Sequence, residues 1–171
     1  MNRRTETPED RLQGNPAKQP LTEPAKGVYE RILLGVDFSP TSTPVYEHAL
    51  KLARQNHAEL LLMHAYDIPK TVSFMPPDSY EQWLTDYHNH AADQMKRLVN
   101  QAREEGVRCH ALILAGLPED AIAAAVQKAK MDLVVIGTHG RHGLSRLLAG
   151  SIASRITPRA GCPVLTIHVA S

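Results

Sequence analysis

The apolar positions of this chain fall into short continuous runs, separated by segments in which apolar residues recur every three or four positions. Each run has the length and aliphatic character of a buried β-strand. The predicted strands are Ile32–Asp37, Glu59–Ala65, Val107–Leu114, Leu133–Gly137 and Pro163–Val169. This alternation is typical of a fold built from repeated β-α units.

The segments between the strands predict helices, because their apolar residues share one helical face. The four stripes are Val45, Ala49, Leu52 and Ala53; Leu84, Ala91, Met95, Leu98 and Ala102; Ala121, Ile122, Ala125, Val126 and Ala129; and Leu144, Leu147, Leu148, Ile152 and Ile156. The second helix is predicted from Tyr80 to Glu105, with Gly106 as its C-terminal cap. The preceding segment, Ile68–Pro77, contains three prolines and predicts a loop. Together the elements predict a single doubly wound α/β domain with a five-stranded parallel sheet and helices on both faces.

Residues 1–28 differ in composition from the rest of the chain. They hold four prolines and mixed charges, and their only leucines are Leu12 and Leu21. Such a segment buries too little apolar surface to fold, which predicts a disordered N-terminal tail ahead of a domain spanning residues 29–171. Its mixed charges fit neither an organellar presequence nor a polybasic anchor.

Overall charge excludes two classes of partner. The 171 residues include 19 basic and 18 acidic side chains, a net charge of +1, so bulk charge attracts neither nucleic acid nor an anionic membrane. No apolar run approaches the length of a membrane span, and the N-terminus has no hydrophobic signal core. We expect a cytoplasmic protein.

A glycine-spaced segment follows the fourth predicted strand and leads into the last predicted helix. Its glycines are Gly137, Gly140, Gly143 and Gly150. Glycine lets a ligand approach the backbone closely, and the start of a helix offers unpaired N–H groups that suit a phosphate. Arg141 and Arg146 add positive charge, and Ser151 adds a hydroxyl donor. The alternative is a tight strand-to-helix turn with solvated arginines, but glycine within a helix costs roughly 1 kcal/mol relative to alanine, so Gly150 calls for a reason.

This spacing resembles the nucleotide-binding signature of the universal stress protein family, in its ATP-binding branch. The residues that carry it are Gly137, Gly140, Gly150 and Ser151, with nine residues between the second and third of them. The segments Ile32–Ser39, Glu59–His64 and Cys162–His168 also resemble that family in order and spacing. The resemblance implies an adenine nucleotide α-hydrolase-like fold that binds ATP. Any Mg²⁺ would be held mainly by phosphates and water.

Right-handed crossovers and the resemblance together suggest the strand order 3-2-1-4-5. The first and fourth strands are then neighbours at the point where the order reverses, and ligands of such sheets bind in the crevice there. Asp37 ends the first strand and Gly137 ends the fourth, so two segments far apart in sequence are predicted to meet at one site.

The resemblance assigns particular residues to the nucleotide. They are Gly35, Val36, Asp37, Leu60, Gly137, Thr138, His139, Gly140, Arg141, Gly143, Gly150, Ser151 and Ile152. Gly35, Val36 and Leu60 would pack on adenine, with backbone groups contacting the base. Asp37 would accept hydrogen bonds from a ribose hydroxyl or the adenine amine, or else it caps the following helix together with Ser39 and Thr41. Leu60 is equally consistent with an ordinary core position.

Other candidate chemistry is poorly supported. His88 and His90 fall on different faces of a helix, and neither cysteine nor carboxylate completes a metal site around His139 and His142. No serine lies in a nucleophile elbow. We therefore expect a nucleotide-dependent regulatory module for a stress response, acting on a partner such as a transporter or an enzyme, with no dedicated catalytic residue. The alternatives are a slow ATP hydrolase or nucleotidyl-transfer enzyme, and an interaction protein whose glycine segment is purely structural.

The last predicted strand, Pro163–Val169, would lie at an edge of the sheet. Edge strands expose unpaired backbone groups that proteins cover or use. Antiparallel pairing with a second copy predicts a homodimer, which resembles the family's common assembly. The alternative is an edge blunted by His168 and the chain terminus.

Overall fold

The computed structural model describes residues 27–68, 74, 76–137 and 151–169, and these form alternating strands and helices. The strands are β1 (Arg31–Gly35), β2 (Glu59–Tyr66), β3 (Cys109–Ala115), β4 (Leu133–Gly137) and β5 (Val164–Ile167). The helices are α1 (Ser42–Asn56), α2 (Pro77–Glu104), α3 (Pro118–Ala129) and α4 (Ser151–Ile156). Most of the predicted tail, residues 1–26, and three leucines of the last predicted helix lie outside the described residues.

The predicted sheet topology is confirmed. The five strands are ordered β3-β2-β1-β4-β5, and every neighbouring pair is parallel. Leu33 of β1 lies in register with Val134 of β4 and Leu61 of β2, so β1 is enclosed by strands on both sides. The order reverses between β1 and β4, which defines the switch point of the fold.

Two apolar layers cover the sheet. On one face, α1 and α2 pack over alternate strand residues such as Leu34 and Leu62. On the other face, α3 and α4 pack over the intervening residues, among them Leu33 and Met63. Side chains alternate between the two faces along a strand, so residues two positions apart lie on the same face.

Several predicted boundaries shift by a few residues. The helix expected from Tyr80 begins at Pro77, because proline is well suited to the first turn, where its missing N–H is not needed. The strand expected from Val107 begins at Cys109, since the Val107 N–H donates to the Ala102 carbonyl (2.9 Å) and closes the end of α2. The first strand ends at Gly35 rather than Asp37.

The start of β1 is fixed by a carboxylate that is distant in the sequence. The backbone N–H groups of Glu30 and Arg31 donate to the Asp132 carboxylate, at 2.7 and 3.1 Å. Asp132 immediately precedes β4, so this contact ties the two central strands together where they begin.

Two ion pairs join the start of α3 to α4 and to the turn that follows α4. Arg155 Nε lies 3.4 Å from Glu119 Oε1, and Arg159 Nη1 lies 2.7 Å from Asp120 Oδ1. The two pairs differ in environment, because Glu119 is only 6% exposed whereas Asp120 is exposed. The second oxygen of Glu119, Oε2, has no hydrogen-bond partner among the residues that the structure describes. Arg155 therefore compensates the charge of this buried carboxylate.

Replacing Arg155 with alanine is expected to destabilise the protein by about 1–3 kcal/mol, because it leaves a buried carboxylate without a partner. The half-exposed arginine keeps the loss below that of a fully buried pair. The measurement is the free energy of unfolding from urea titrations. Glu119→Gln in the Arg155→Ala background should recover most of the loss. Arg159→Ala, which breaks the exposed pair on the same helix end, should cost about 0–1 kcal/mol. Equal losses for the two arginine variants would contradict this account.

Candidate functional site

A crevice lies between the carboxyl ends of β1 and β4, at the switch point of the sheet. Its volume is about 80 Å³. The residues that line it are Gly35, Val36, Asp37, Met63, Ala65, Pro118, Ile122, Ile136 and Gly137. Four of the predicted site residues, Gly35, Val36, Asp37 and Gly137, are thus brought together. The apolar remainder comes from β2, α3 and β4.

Gly35 keeps the crevice open because it has no side chain. A Cβ at this position would lie 3.2 Å from Ile136 Cγ2 and 3.7 Å from Ile122 Cδ1. A larger residue at position 35 would therefore occupy the space between the strand and α3. The apolar walls and the missing side chain fit a flat, largely apolar group such as a nucleotide base.

Leu60 is not part of this crevice. It is fully buried on the α1/α2 face, in register with Ile32 near the start of β1. The β2 residues that reach the crevice are Met63 and Ala65, which lie on the opposite face and nearer the end of the strand. Of the two interpretations of Leu60, its position favours the core one. The alternation of side chains along β2 is the sequence signal that would have found Ala65.

Much of the predicted phosphate segment lies outside the described residues. This applies to Thr138, His139, Gly140, Arg141, Gly143 and Gly150. The described backbone resumes at Ser151, where α4 begins, and Ile152 is the next residue of that helix. The segment therefore leaves the described chain at the end of β4 and rejoins it at the start of α4.

Asp37 organises the turn between β1 and α1. Its Oδ1 accepts hydrogen bonds from the Ser39 N–H (3.1 Å), the Ser39 hydroxyl (2.8 Å) and the Ser42 hydroxyl. The Ser39 hydroxyl also contacts that of Thr41, at 2.9 Å. Asp37 thus holds the turn through Ser39 and the Ser42 hydroxyl, which differs from the expected capping of helix N–H groups, and it also lines the crevice. The N-cap residue of α1 is Thr41, which makes no side-chain capping bond.

The backbone polar groups of Val36 are already engaged. Its N–H donates to the Met63 carbonyl at 2.8 Å, and its carbonyl lies 2.7 Å from His64 Nδ1. Any hydrogen bond from the Val36 backbone to a nucleotide base would therefore compete with these two hydrogen bonds. Two residues later, Phe38 has a left-handed backbone (φ 56°), which is costly for a residue with a bulky side chain.

An aromatic cluster supports the turn from the α1/α2 side. The rings of Phe38 and His64 have centroids 4.5 Å apart, and those of Tyr66 and Tyr87 are 4.7 Å apart. His64 Nε2 lies 3.0 Å from the Tyr87 hydroxyl, which joins β2 to α2. Trp83, one turn earlier on α2, lies 5.7 Å from the Tyr87 ring. The sequence analysis missed this cluster, because its members are far apart in the chain.

A second, larger cavity of about 310 Å³ lies between α1 and α2, on the face of the sheet that carries the aromatic cluster. We refer to it as the α1–α2 cavity. Its lining comprises Val36, Phe38, Ser39, Ser42, Thr43, Tyr46, Glu47, Gln94, Arg97, Leu98 and Gln101. Val36 lines both the crevice and this cavity, so the β1–α1 turn forms a wall shared by the two.

The described residues offer little catalytic chemistry. Within them, no three His, Cys, Asp or Glu side chains lie close enough to share a metal ion. Burial raises the pKa of the Cys109 thiol to about 11, so this thiol stays protonated at neutral pH and is a poor nucleophile. Burial likewise raises the pKa of Tyr46. The described helices include none that is both long and apolar enough to cross a membrane.

This chain is similar to known proteins in both sequence and fold. The chain is 32% identical to universal stress protein MJ0531 of Methanocaldococcus jannaschii over 142 residues, which cover 83% of this chain and 84% of that protein. Its fold is similar to the solved structure of MJ0577 from the same organism, with a TM-score of 0.74 at 22% identity over 84% of this chain and 98% of that one. A universal stress protein family protein from Arabidopsis thaliana, solved with AMP bound, has a TM-score of 0.61 at 23% identity over 83% of this chain and 93% of that one.

The family match extends over nearly the whole described domain. Residues 28–168 match the universal stress protein family, from just before β1 to just after β5. The MJ0531 relative is matched over a similar share of both chains, so the likeness covers most of each protein and not one motif. This chain belongs to the universal stress protein family.

Proposed function

We propose that this chain binds an adenine nucleotide, ATP in the first instance, in the crevice between β1 and β4. The observation that carries the proposal is the meeting of Asp37 and Gly137, from distant parts of the sequence, at the switch point of the sheet. In sheets of this kind, ligands bind at that point. The AMP in the Arabidopsis relative supports an adenine nucleotide as the ligand class.

The two ends of the nucleotide would contact different parts of the crevice. Met63, Ala65 and Ile122 offer apolar contacts for the base, and Gly35 leaves room for it. Asp37 would accept a hydrogen bond from a ribose hydroxyl or the adenine amine. The phosphates would extend from Gly137 toward the start of α4, along the glycine-spaced segment that includes Gly140, Gly150 and Ser151, with Thr138, His139, Arg141, Gly143 and Ile152 close by. In this arrangement Mg²⁺ would be held mainly by the phosphates and water.

The role that we propose is regulatory. Among the described residues, the Cys109 thiol stays protonated and no three His, Cys, Asp or Glu side chains could share a metal ion, which supports a binding module in preference to an enzyme. β5 lies at one edge of the sheet, where pairing with β5 of a second copy would form a homodimer. Nucleotide occupancy would then alter the affinity of a cytoplasmic dimer for a protein partner in a stress response.

Native mass spectrometry of the full chain tests the proposal, with ATP and Mg²⁺, ADP, AMP and cyclic AMP added separately. The expected result is a dimer with one adenine nucleotide per chain. Gly140→Asp should abolish binding, because it places a negative charge beside the phosphates, whereas Gly140→Ala, which adds only a methyl group, should retain more of it. A chain that stays empty at saturating concentrations of every nucleotide would overturn the proposal. Steady release of phosphate from ATP would instead identify a hydrolase.

A further inference from the structure

His64 is buried behind the wall of the crevice and joins three parts of the fold. It is 3% exposed, and its two ring nitrogens contact Val36 of the β1–α1 turn and Tyr87 of α2. Its side chain lies on the face of β2 opposite Met63 and Ala65, which line the crevice. The ring therefore contacts the crevice wall from outside.

We propose that His64 is a positioning residue that holds the β1–α1 turn in the shape that forms the nucleotide crevice. This inference rests on the proposed function, because it assigns His64 a role in the same site. His64 touches no nucleotide itself and acts through Val36 and Phe38.

The hydrogen bonds define how the ring is protonated. A backbone carbonyl can only accept, so the 2.7 Å contact with the Val36 carbonyl requires a proton on Nδ1. In the neutral ring Nε2 is then the acceptor, and the Tyr87 hydroxyl donates to it across 3.0 Å. Tyr87 thus fixes the tautomer that Val36 needs, and α2 fixes the position of Tyr87.

The turn needs such support because one of its residues has an unfavourable backbone. Phe38 has a φ of 56°, and such conformations persist where surrounding contacts hold them in place. The ring of Phe38 packs on that of His64, with centroids 4.5 Å apart. His64 therefore holds Val36 by a hydrogen bond and Phe38 by ring packing, on either side of Asp37.

Variants at position 64 separate these contacts. His64→Leu removes both hydrogen bonds at similar volume. His64→Asn keeps a donor near the position of Nδ1 but does not reach Tyr87, whereas His64→Gln has its amide farther out, near the position of Nε2. Tyr87→Phe removes only the hydroxyl and isolates the contribution of the contact at Nε2.

The first measurement needs no nucleotide. In the free protein, ¹⁵N NMR should show the proton of the His64 ring on Nδ1, and amide hydrogen exchange should be faster at Val36–Ser39 in His64→Leu, with Leu33 and Leu34 unchanged. His64→Asn should restore much of the protection. A proton on Nε2, or unchanged exchange in His64→Leu, would overturn the proposal.

The second measurement is nucleotide affinity by calorimetry, with ATP and Mg²⁺ and with AMP. Loss of a buried hydrogen bond predicts roughly tenfold weaker binding for His64→Leu and a smaller loss for His64→Asn. His64→Gln should resemble His64→Leu, because it lacks the donor to Val36. Equal affinities for wild type, His64→Leu and His64→Gln would overturn the role in binding. If wild type binds no nucleotide while the exchange of the turn still depends on His64, the proposed function fails and the positioning of the turn stands.

Discussion

Ala65→Phe is expected to weaken adenine-nucleotide binding by about 100-fold or more, equivalent to roughly 2.7 kcal/mol. Ala65 lies near the end of β2 and lines the crevice between the ends of β1 and β4, on the face that α3 covers. The space there is only about 80 Å³, so an aromatic ring from β2 would occupy the volume that we assign to the base. The measurement is a calorimetric titration with ATP and Mg²⁺ and with AMP.

The control for this variant is Ala111→Phe on the neighbouring strand. Ala111 belongs to β3, is exposed, and lies in register with Leu62, away from the crevice. The Ala111→Phe protein should bind nucleotide with the affinity of wild type. Overpacking costs about 1–3 kcal/mol at crowded sites, so the thermal unfolding of both variants should be measured alongside their affinities. Ala65→Met is a substitute with a more flexible side chain. Wild-type affinity in a folded Ala65→Phe protein would place the nucleotide elsewhere.

Leu62→Ala is expected to have the largest effect on stability, a loss of about 2–5 kcal/mol. Leu62 is 0% exposed in the middle of β2 and lies between Leu34 of β1 and Ala111 of β3. Removing its side chain loses apolar burial and leaves a cavity under α1 and α2. The free energy of unfolding from urea titrations measures the loss.

Leu117→Ala provides the same chemical change at a surface position. Leu117 is 49% exposed just before α3, so its truncation removes little buried surface and should change stability by about 0.5 kcal/mol or less. If the two leucine variants unfolded at similar urea concentrations, the assignment of Leu62 to the core would be wrong.

The fold could be predicted largely from the sequence because its signals are local. Strand β4 was predicted at Leu133–Gly137 and has these bounds, since a continuous aliphatic run leaves few alternatives. The strand order needed the family resemblance as well, because periodicity alone does not say which strands are neighbours. Predicted boundaries differ from the observed ones where a single residue decides where an element begins or ends, as Pro77 does at the start of α2.

The site was predictable only in part, because its details depend on tertiary packing. The ends of β1 and β4 could be assigned to the crevice, since parallel strands present their carboxyl ends at one edge. Leu60 was assigned to the right strand but lies on the other face, where one residue of register decides the outcome. The role of His64 could not be predicted from its place in an apolar run, because its partners, Val36 and Tyr87, are distant in sequence.

The valine shared by the crevice and the α1–α2 cavity links the energetics of the two spaces. Val36 has the crevice on one side and the α1–α2 cavity on the other. Its backbone forms hydrogen bonds with the Met63 carbonyl and the His64 ring. Any molecule between the helices that binds one shape of this turn more tightly than another would change the nucleotide affinity by some factor. By thermodynamic reciprocity, the nucleotide would change the affinity of that molecule by the same factor. A search for compounds that bind between α1 and α2 is therefore also a search for compounds that tune the crevice without entering it.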